Sequence, residues 1–186
     1  DKDVTHHINY KAKYRLQDKI ICLFGGTLGP AQGLDFLLQV AARMKSYENL
    51  CFLVVGNGTE KAKLKSIAKK MDLSNVIFKD FIPNKEFNML VKSCDIGLIN
   101  LSYKNKTSII PGKILSFMAA SIPIMGTVNK ESMEFKNIIN KSGSGYIINS
   151  NDIEEYINLL TKLIMDKKLR ERMGCRGRDY VVKYFS

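Results

Sequence analysis

Ile110-Pro111-Gly112-Lys113-Ile114-Leu115-Ser116-Phe117-Met118-Ala119-Ala120-Ser121-Ile122-Pro123-Ile124 reads as a loop, one short helix, a tight turn and a buried strand. Pro111 suits the first helical position, where its missing N–H would go unbonded anyway. Gly112 lets another molecule approach the backbone closely. Free amides at such a helix start, with Lys113 beside them, form a ready anion site. Gly112, Lys113 and Ser116 fall within one turn and share a face, while Ile114, Leu115, Phe117 and Met118 cover most of the remaining surface. A largely buried helix that leads into a buried strand is a unit of an α/β fold.

Outward from this stretch the same alternation repeats. Apolar runs at 19–24, 50–55, 76–78, 95–101, 122–125 and 145–148 read as strands, and amphipathic stretches at 33–44, 60–71, 85–93, 131–140, 153–165 and 169–184 read as helices. Continuous apolar strands alternating with helices predict a parallel sheet covered on both faces, a doubly wound, Rossmann-like α/β domain. Residues 1–18 read as a tether and 19–186 as the domain. Ligands of such sheets sit outside the carboxyl ends of the strands, near the switch point of the strand order. The loops there, 25–30, 56–59, 81–85, 100–111 and 126–131, are rich in Gly, Asn, Ser, Thr and Lys. Gly26 and Thr27 in the first, Gly56 and Asn57 in the second, and Gly112 and Lys113 offer free amides that suit a nucleotide diphosphate. The first loop lacks the G-x-G-x-x-G spacing with an acidic residue about 20 positions on, which disfavours a nicotinamide enzyme.

Composition narrows the field. A chain of 186 residues with 45% hydrophobic content buries one good core. No run of about 18 apolar residues is present to span a membrane, and the polar start is no signal peptide. Cys22, Cys51, Cys94 and Cys175 have no metal-site spacing and read as reduced thiols of a cytoplasmic protein. The net charge of +11 is spread along the chain, so it reads first as a solvated basic face, and next as attraction to an anionic membrane. No nucleic-acid motif accompanies it. Asp1-Lys2-Asp3 and His6-His7 lie in the tether and are not read as metal ligands. Met118, Met125, Met133 and Met165 read as core filling, and Asp95 as structural.

The 110–124 stretch, together with Phe24-Gly25-Gly26-Thr27-Leu28-Gly29-Pro30-Ala31-Gln32-Gly33-Leu34, resembles the donor-binding half of family 4 retaining glycosyltransferases of the GT-B fold. The likeness is greatest to the bacterial branch that builds O-antigen, capsule and colanic-acid-type polysaccharides, and it runs from about Ile20 to Ser186. It implies transfer of a sugar from a nucleotide diphosphate donor, UDP-linked by expectation, with retention and without a metal or other cofactor. The acceptor, a lipid-linked saccharide, is bound in this family mainly by a preceding N-terminal domain, which the chain is expected to lack. The fragment is therefore expected to bind donor without catalysing transfer alone. The full enzyme is expected at the inner face of the plasma membrane, with no nucleic-acid partner.

Residue by residue, the family places an Arg and a Lys where this chain has Thr27 and Gln32. It places a pair of glutamates, facing the donor sugar and the ribose, where this chain has Ser108 and Ser116. Serine still donates and accepts hydrogen bonds, but it is shorter and neutral. Phe78-Lys79-Asp80-Phe81-Ile82-Pro83 matches the segment that contacts the base, which assigns Phe81 and Ile82 to a flat wall for uracil. Two other readings stand beside this one. One is a GT-B domain like a non-hydrolysing nucleotide-sugar epimerase, against which the few carboxylates of the cleft loops count. The other is a non-catalytic basic domain that binds lipid or nucleic acid, marked by salt-sensitive binding without nucleotide selectivity.

Overall fold

The computed structural model describes residues 8–106, 112–149 and 151–185. Strands β1 (Ile20–Gly25), β2 (Leu50–Val55), β3 (Val76–Lys79), β4 (Ile96–Ile99), β5 (Ile124–Val128) and β6 (Gly145–Asn149) form one sheet in the order β3-β2-β1-β4-β5-β6. Every neighbouring pair is parallel. Helices α1 (Tyr10–Lys13), α2 (Leu34–Arg43), α3 (Lys61–Lys70), α4 (Asn84–Val91), α5 (Lys113–Ala119), α6 (Met133–Ser142), α7 (Ile153–Met165) and α8 (Lys167–Phe185) surround it. The domain is the Rossmann-like α/β fold that the alternation predicts.

Side-chain alternation along the strands divides the interior into two cores. Cys22, Phe24, Phe52, Val54, Ile96 and Leu98 face α2, α3 and α7. Ile21, Leu23, Cys51, Leu53, Val55 and Ile99 face α1, α4, α5 and α6. β2 is buried at every position, whereas the edge strand β3 is only half-buried throughout. Fully burying such aliphatic and aromatic side chains contributes roughly 1.5–3 kcal/mol each. Gly174 and Gly177 bring α8 close: a Cβ on the former would strike the Ser121 carbonyl and one on the latter the Ser144 side chain.

The tether assignment does not hold for the segment from residue 8 onward. Tyr10 and Leu16 are 1% and 4% exposed and belong to the second core. The Tyr10 hydroxyl donates to Glu86 Oε2 at 3.2 Å, and burial, reinforced by that carboxylate, pushes the phenol up to about 12. Lys11 Nζ pairs with Asp95 Oδ2 at 3.2 Å, and the same oxygen accepts from Ile21 N at 2.8 Å. Asp95 thus joins α1 to the sheet, a structural role. Ile8, Tyr10, Ala12, Tyr14 and Leu16 alternate with polar residues at a spacing of two, a pattern that does not suggest the helix formed here. Tyr10 and Leu16 are buried because α4 offers them a surface. Asp1, Asp3, His6 and His7 lie outside the described residues.

Two strand ends differ from expectation for local reasons. β5 begins at Ile124 rather than Ile122 because Pro123 has no N–H for the ladder, although its carbonyl still accepts from Gly97 N at 2.9 Å. β4 stops at Ile99 rather than Leu101. There the buried Thr127 hydroxyl accepts from Leu101 N at 3.1 Å and donates to Leu101 O at 3.2 Å. Asn100 is left as the residue just past the strand.

Cys22, Cys51 and Cys94 are buried and Cys175 is exposed, all as free thiols. Burial raises the thiol pKa of the first three, to about 11 for Cys51. Since the thiolate is the reactive form, native protein at pH 8 should be alkylated at Cys175 alone on the timescale of minutes, and at all four positions in denaturant. Peptide mapping by mass spectrometry reads the result, and rapid native labelling of Cys22 or Cys51 would contradict this packing.

Candidate functional site

The strand order reverses between β1 and β4, and a cavity of about 560 Å³ opens over their carboxyl ends. Its walls include Gly26, Thr27, Gln32, Asn84, Asn88, Asn100, Gly112, Lys113 and Ser116.

One wall is built on Gly25. A Cβ there would overlap the ring of Phe87, so only glycine lets α4 press against the end of β1. The Phe87 ring packs tilted on Phe117 of α5, with centroids 6.4 Å apart. Above it sits the Lys113 ammonium, 4.1 Å from the ring centroid, and Lys113 Nζ also donates to Asn84 Oδ1 at 3.1 Å. Contacts of this kind add about 0.5–2 kcal/mol and hold the cation over the crevice. Burial lowers the Lys113 pKa from the ordinary 10.5. Gly112 is the N-cap of α5 and supplies no side-chain cap, so among the described residues the first-turn N–H groups are left for an anion.

The opposite wall is the Gly26–Leu28 turn, and its amides are largely committed. Gly26 N donates to Val55 O at 3.0 Å and Leu28 N to Asn57 O at 2.9 Å. Gly29 N donates to Gln32 Oε1 at 3.3 Å. The Thr27 N–H alone in this turn has no partner among the described residues, so the expectation that Gly26 supplies a free amide is corrected: the sheet uses it.

Gly56 and Asn57 shape this turn from behind and do not line the cavity. A Cβ on Gly56 would overlap the Gly26 carbonyl. Lys61, with 17% of its side chain exposed, donates to Gly56 O at 2.8 Å, Asn57 Oδ1 at 2.7 Å and Lys79 O at 3.3 Å, and pairs with Asp80 at 2.6 Å. Phe81, at 64% exposure, and Ile82, packed against the second core, also stand outside the lining. Ser108, like Pro111, lies outside the described residues.

Asn84, Asn88 and Asn100 were not singled out from sequence. The available signal for Asn100 was a polar residue directly ending the apolar run Ile96-Gly97-Leu98-Ile99 at a switch-point strand. A second cavity, of about 630 Å³, lies beyond Gly29–Gly33 and includes Asp35, Glu60, Lys63 and Lys104. Its Lys63 is already paired with Glu60 at 2.7 Å and Asp35 at 3.3 Å. The two carboxylates it carries make it a poorer host for a diphosphate. Among the described residues no group of three or more His, Cys, Asp or Glu side chains could hold a metal ion.

A parallel sheet with an amide-lined crevice over its switch point places the molecule among Rossmann-like α/β domains. The chain belongs to the glycosyl transferases group 1 family, whose model matches residues 7–180, and its fold is that of a GT-B domain. An uncharacterized glycosyltransferase of Haemophilus influenzae is 28% identical over 166 residues, 88% of this chain and 44% of that protein. The putative colanic acid biosynthesis glycosyl transferase WcaI of Escherichia coli is 29% identical over 102 residues, 55% of this chain and 25% of that protein. The chain thus spans less than half the length of these relatives. Anabaena HepE, solved in complex with UDP, superposes with a TM-score of 0.82 at 14% identity, over 100% of this chain and 50% of that one. Its complex with UDP-glucose superposes at 0.81.

Lys61→Met takes the side-chain donor from the Gly56 carbonyl, while the Lys79 carbonyl keeps the Gly56 N–H at 3.1 Å, and should lower unfolding free energy by about 1–3 kcal/mol. Asp80→Asn removes only an exposed partner and should cost well under that. Urea denaturation of both variants makes the comparison, and equal losses would show that the surface ion pair matters more than the buried carbonyls.

Proposed function

We propose that this domain binds the nucleotide diphosphate end of an activated sugar, UDP-linked, as the donor half of a retaining glycosyltransferase. The observation that carries the reading is the convergence of the Thr27 N–H, the first-turn amides of α5, Lys113 and Ser116 on one crevice at the switch point. Amide dipoles and a partly desolvated cation stabilise a diphosphate most as it takes up negative charge in departing. That is the leaving-group work of sugar transfer, and it needs no metal. Ser116 lies one turn beyond Lys113 and offers a neutral hydroxyl to the ribose. The UDP and UDP-glucose complexes of Anabaena HepE support a uridine nucleotide as the donor. The name of the Escherichia coli relative supports a role in synthesis of a polysaccharide of the colanic-acid type, and the acceptor in this reading is a lipid-linked saccharide. No described helix is long and apolar enough to cross a membrane, so contact with lipid in this reading runs through the basic surface.

Calorimetric titration with UDP, UDP-glucose, GDP and pyrophosphate, in the presence of EDTA, tests the proposal. UDP and UDP-glucose should bind more tightly than pyrophosphate, and Lys113→Met should weaken them roughly tenfold, as expected for loss of a charge-assisted hydrogen bond. Equal affinity for pyrophosphate and every nucleotide would reduce the crevice to a generic anion site. A strict requirement for added metal would overturn the metal-free part of the reading.

The pH profile supplies a second check. Because burial holds the Lys113 pKa below 10.5, the cation is present at neutral pH and is lost as pH rises toward that lowered value. UDP affinity should therefore decline on the alkaline side earlier than an exposed lysine would make it, and Lys113→Met should flatten that decline.

A further inference from the structure

Asn100 sits on the crevice wall as a buried carboxamide with nothing to bond. It is 2% exposed, and neither its Oδ1 nor its Nδ2 has a hydrogen-bond partner among the described residues. Buried polar side chains normally find at least one partner, and leaving both ends unpaired is costly. Asn75, also buried, has one end paired, its Nδ2 donating to Ala41 O at 2.8 Å while its Oδ1 has no partner among the described residues. Asn129 does the same through Nδ2 to Asn105 O at 2.7 Å. Asn100 follows neither pattern.

The backbone around it is fixed. Leu101 is bonded to the Thr127 hydroxyl at both N and O, and Ser102 N donates to Ala31 O at 2.8 Å. These bonds tie the segment after β4 to the loop after β1, so the carboxamide is held beside Gly26, Lys113 and Ser116 on the same cavity. Asparagine is poorly suited to extending an apolar strand, so packing alone gives no reason for it here.

The chemistry of the missing partner follows from the two free atoms. A carboxamide presents a donor and an acceptor side by side. An ionised diphosphate only accepts, so it would satisfy Nδ2 and repel Oδ1. A pair of adjacent hydroxyls both donates and accepts, and satisfies the two together. We infer that Asn100 binds the vicinal hydroxyls of a sugar ring in the nucleotide sugar, and so contributes sugar recognition separate from diphosphate binding. The inference rests on the donor-binding reading above. The ring is either the ribose or the transferred sugar, which share this diol chemistry.

The test compares the 186-residue chain with its Asn100→Leu variant, by calorimetry against UDP, UDP-glucose and pyrophosphate and by thermal melting without ligand. Leucine keeps the branched four-atom shape, though it is bulkier, and removes the unpaired atoms, so the variant should melt close to the parent temperature. It should lose roughly tenfold in UDP-glucose affinity while binding pyrophosphate unchanged. An equal loss for UDP supports the ribose as the diol, and a loss confined to UDP-glucose supports the transferred sugar. Unchanged affinity for both uridine ligands overturns the inference and leaves the donor reading intact. A parallel loss for pyrophosphate also overturns it, since Asn100 would then act on the anion. If the parent chain binds neither uridine ligand, the donor reading fails and this inference with it. Should Asn100→Leu not fold, Asn100→Ala in the same titrations carries the same outcomes.

Discussion

The crevice depends on one close approach of backbone to backbone. The turn after β2 lies against the turn after β1 with the Gly56 Cα where a side chain would meet the Gly26 carbonyl. Leu28 N bonds across to Asn57 O and Gly26 N to Val55 O, so the two turns form one piece. Lys61 closes that piece from behind with bonds to Gly56 O, Asn57 Oδ1 and Lys79 O. A side chain at position 56 would push the Gly26–Leu28 turn into the crevice or away from it. In either case the Thr27 N–H would lose its place opposite α5. The conformation of the crevice-facing turn is therefore set by Gly56, Asn57 and Lys61, which do not line the cavity.

The facing wall has the same logic with different parts. Gly25 admits the Phe87 ring, Phe87 packs on Phe117, and the ring carries Lys113. A cation placed by two helices loses little freedom on meeting an anion, so less conformational entropy is spent there. The two walls meet at Gly25-Gly26. A Cβ on Gly25 would overlap the Phe87 ring, whereas one on Gly26 would meet nothing nearer than Phe24 at 3.8 Å, and Gly26 joins β2 through its N–H to Val55 O.

Sequence revealed the fold far better than the ligand contacts. β2 and α7 match their apolar runs residue for residue, because continuous burial and helical periodicity are written directly into composition. The end of β4 was not readable, because it is decided by the hydroxyl of Thr127, two strands' worth of sequence away. α1 was hidden because the apolar residues from Ile8 to Leu16 alternate at a spacing of two, the pattern of a strand, while Tyr10–Lys13 folds as a single helical turn. Gly26, Thr27, Gly112, Lys113 and Ser116 line the cavity and could be singled out in advance, since glycines and helix starts at strand ends carry a local signal, whereas Gln32 is named through the family resemblance alone. Phe81 and Ile82 stand outside the cavity lining, because which way a loop turns after β3 is a tertiary outcome. Asn100 escaped notice because an asparagine at a strand end usually reads as a turn residue.

The charge of the crevice is unlike the charge of the chain. The sequence carries 29 basic against 18 acidic residues, a net +11, yet Lys113 is the one charged side chain among the described residues lining the cavity. Much of the remainder sits on exposed helix faces, where a Debye length near 10 Å at 0.1 M salt screens it from the crevice. With threonine and glutamine at positions 27 and 32, attraction by long-range charge gives way to short-range hydrogen bonds from amides, a hydroxyl and carboxamides. Such groups are directional and distinguish a hydroxyl from a phosphate oxygen, which a lysine does not. Under the donor-binding role proposed above, the arrangement favours discrimination among nucleotide sugars over indiscriminate affinity for anions.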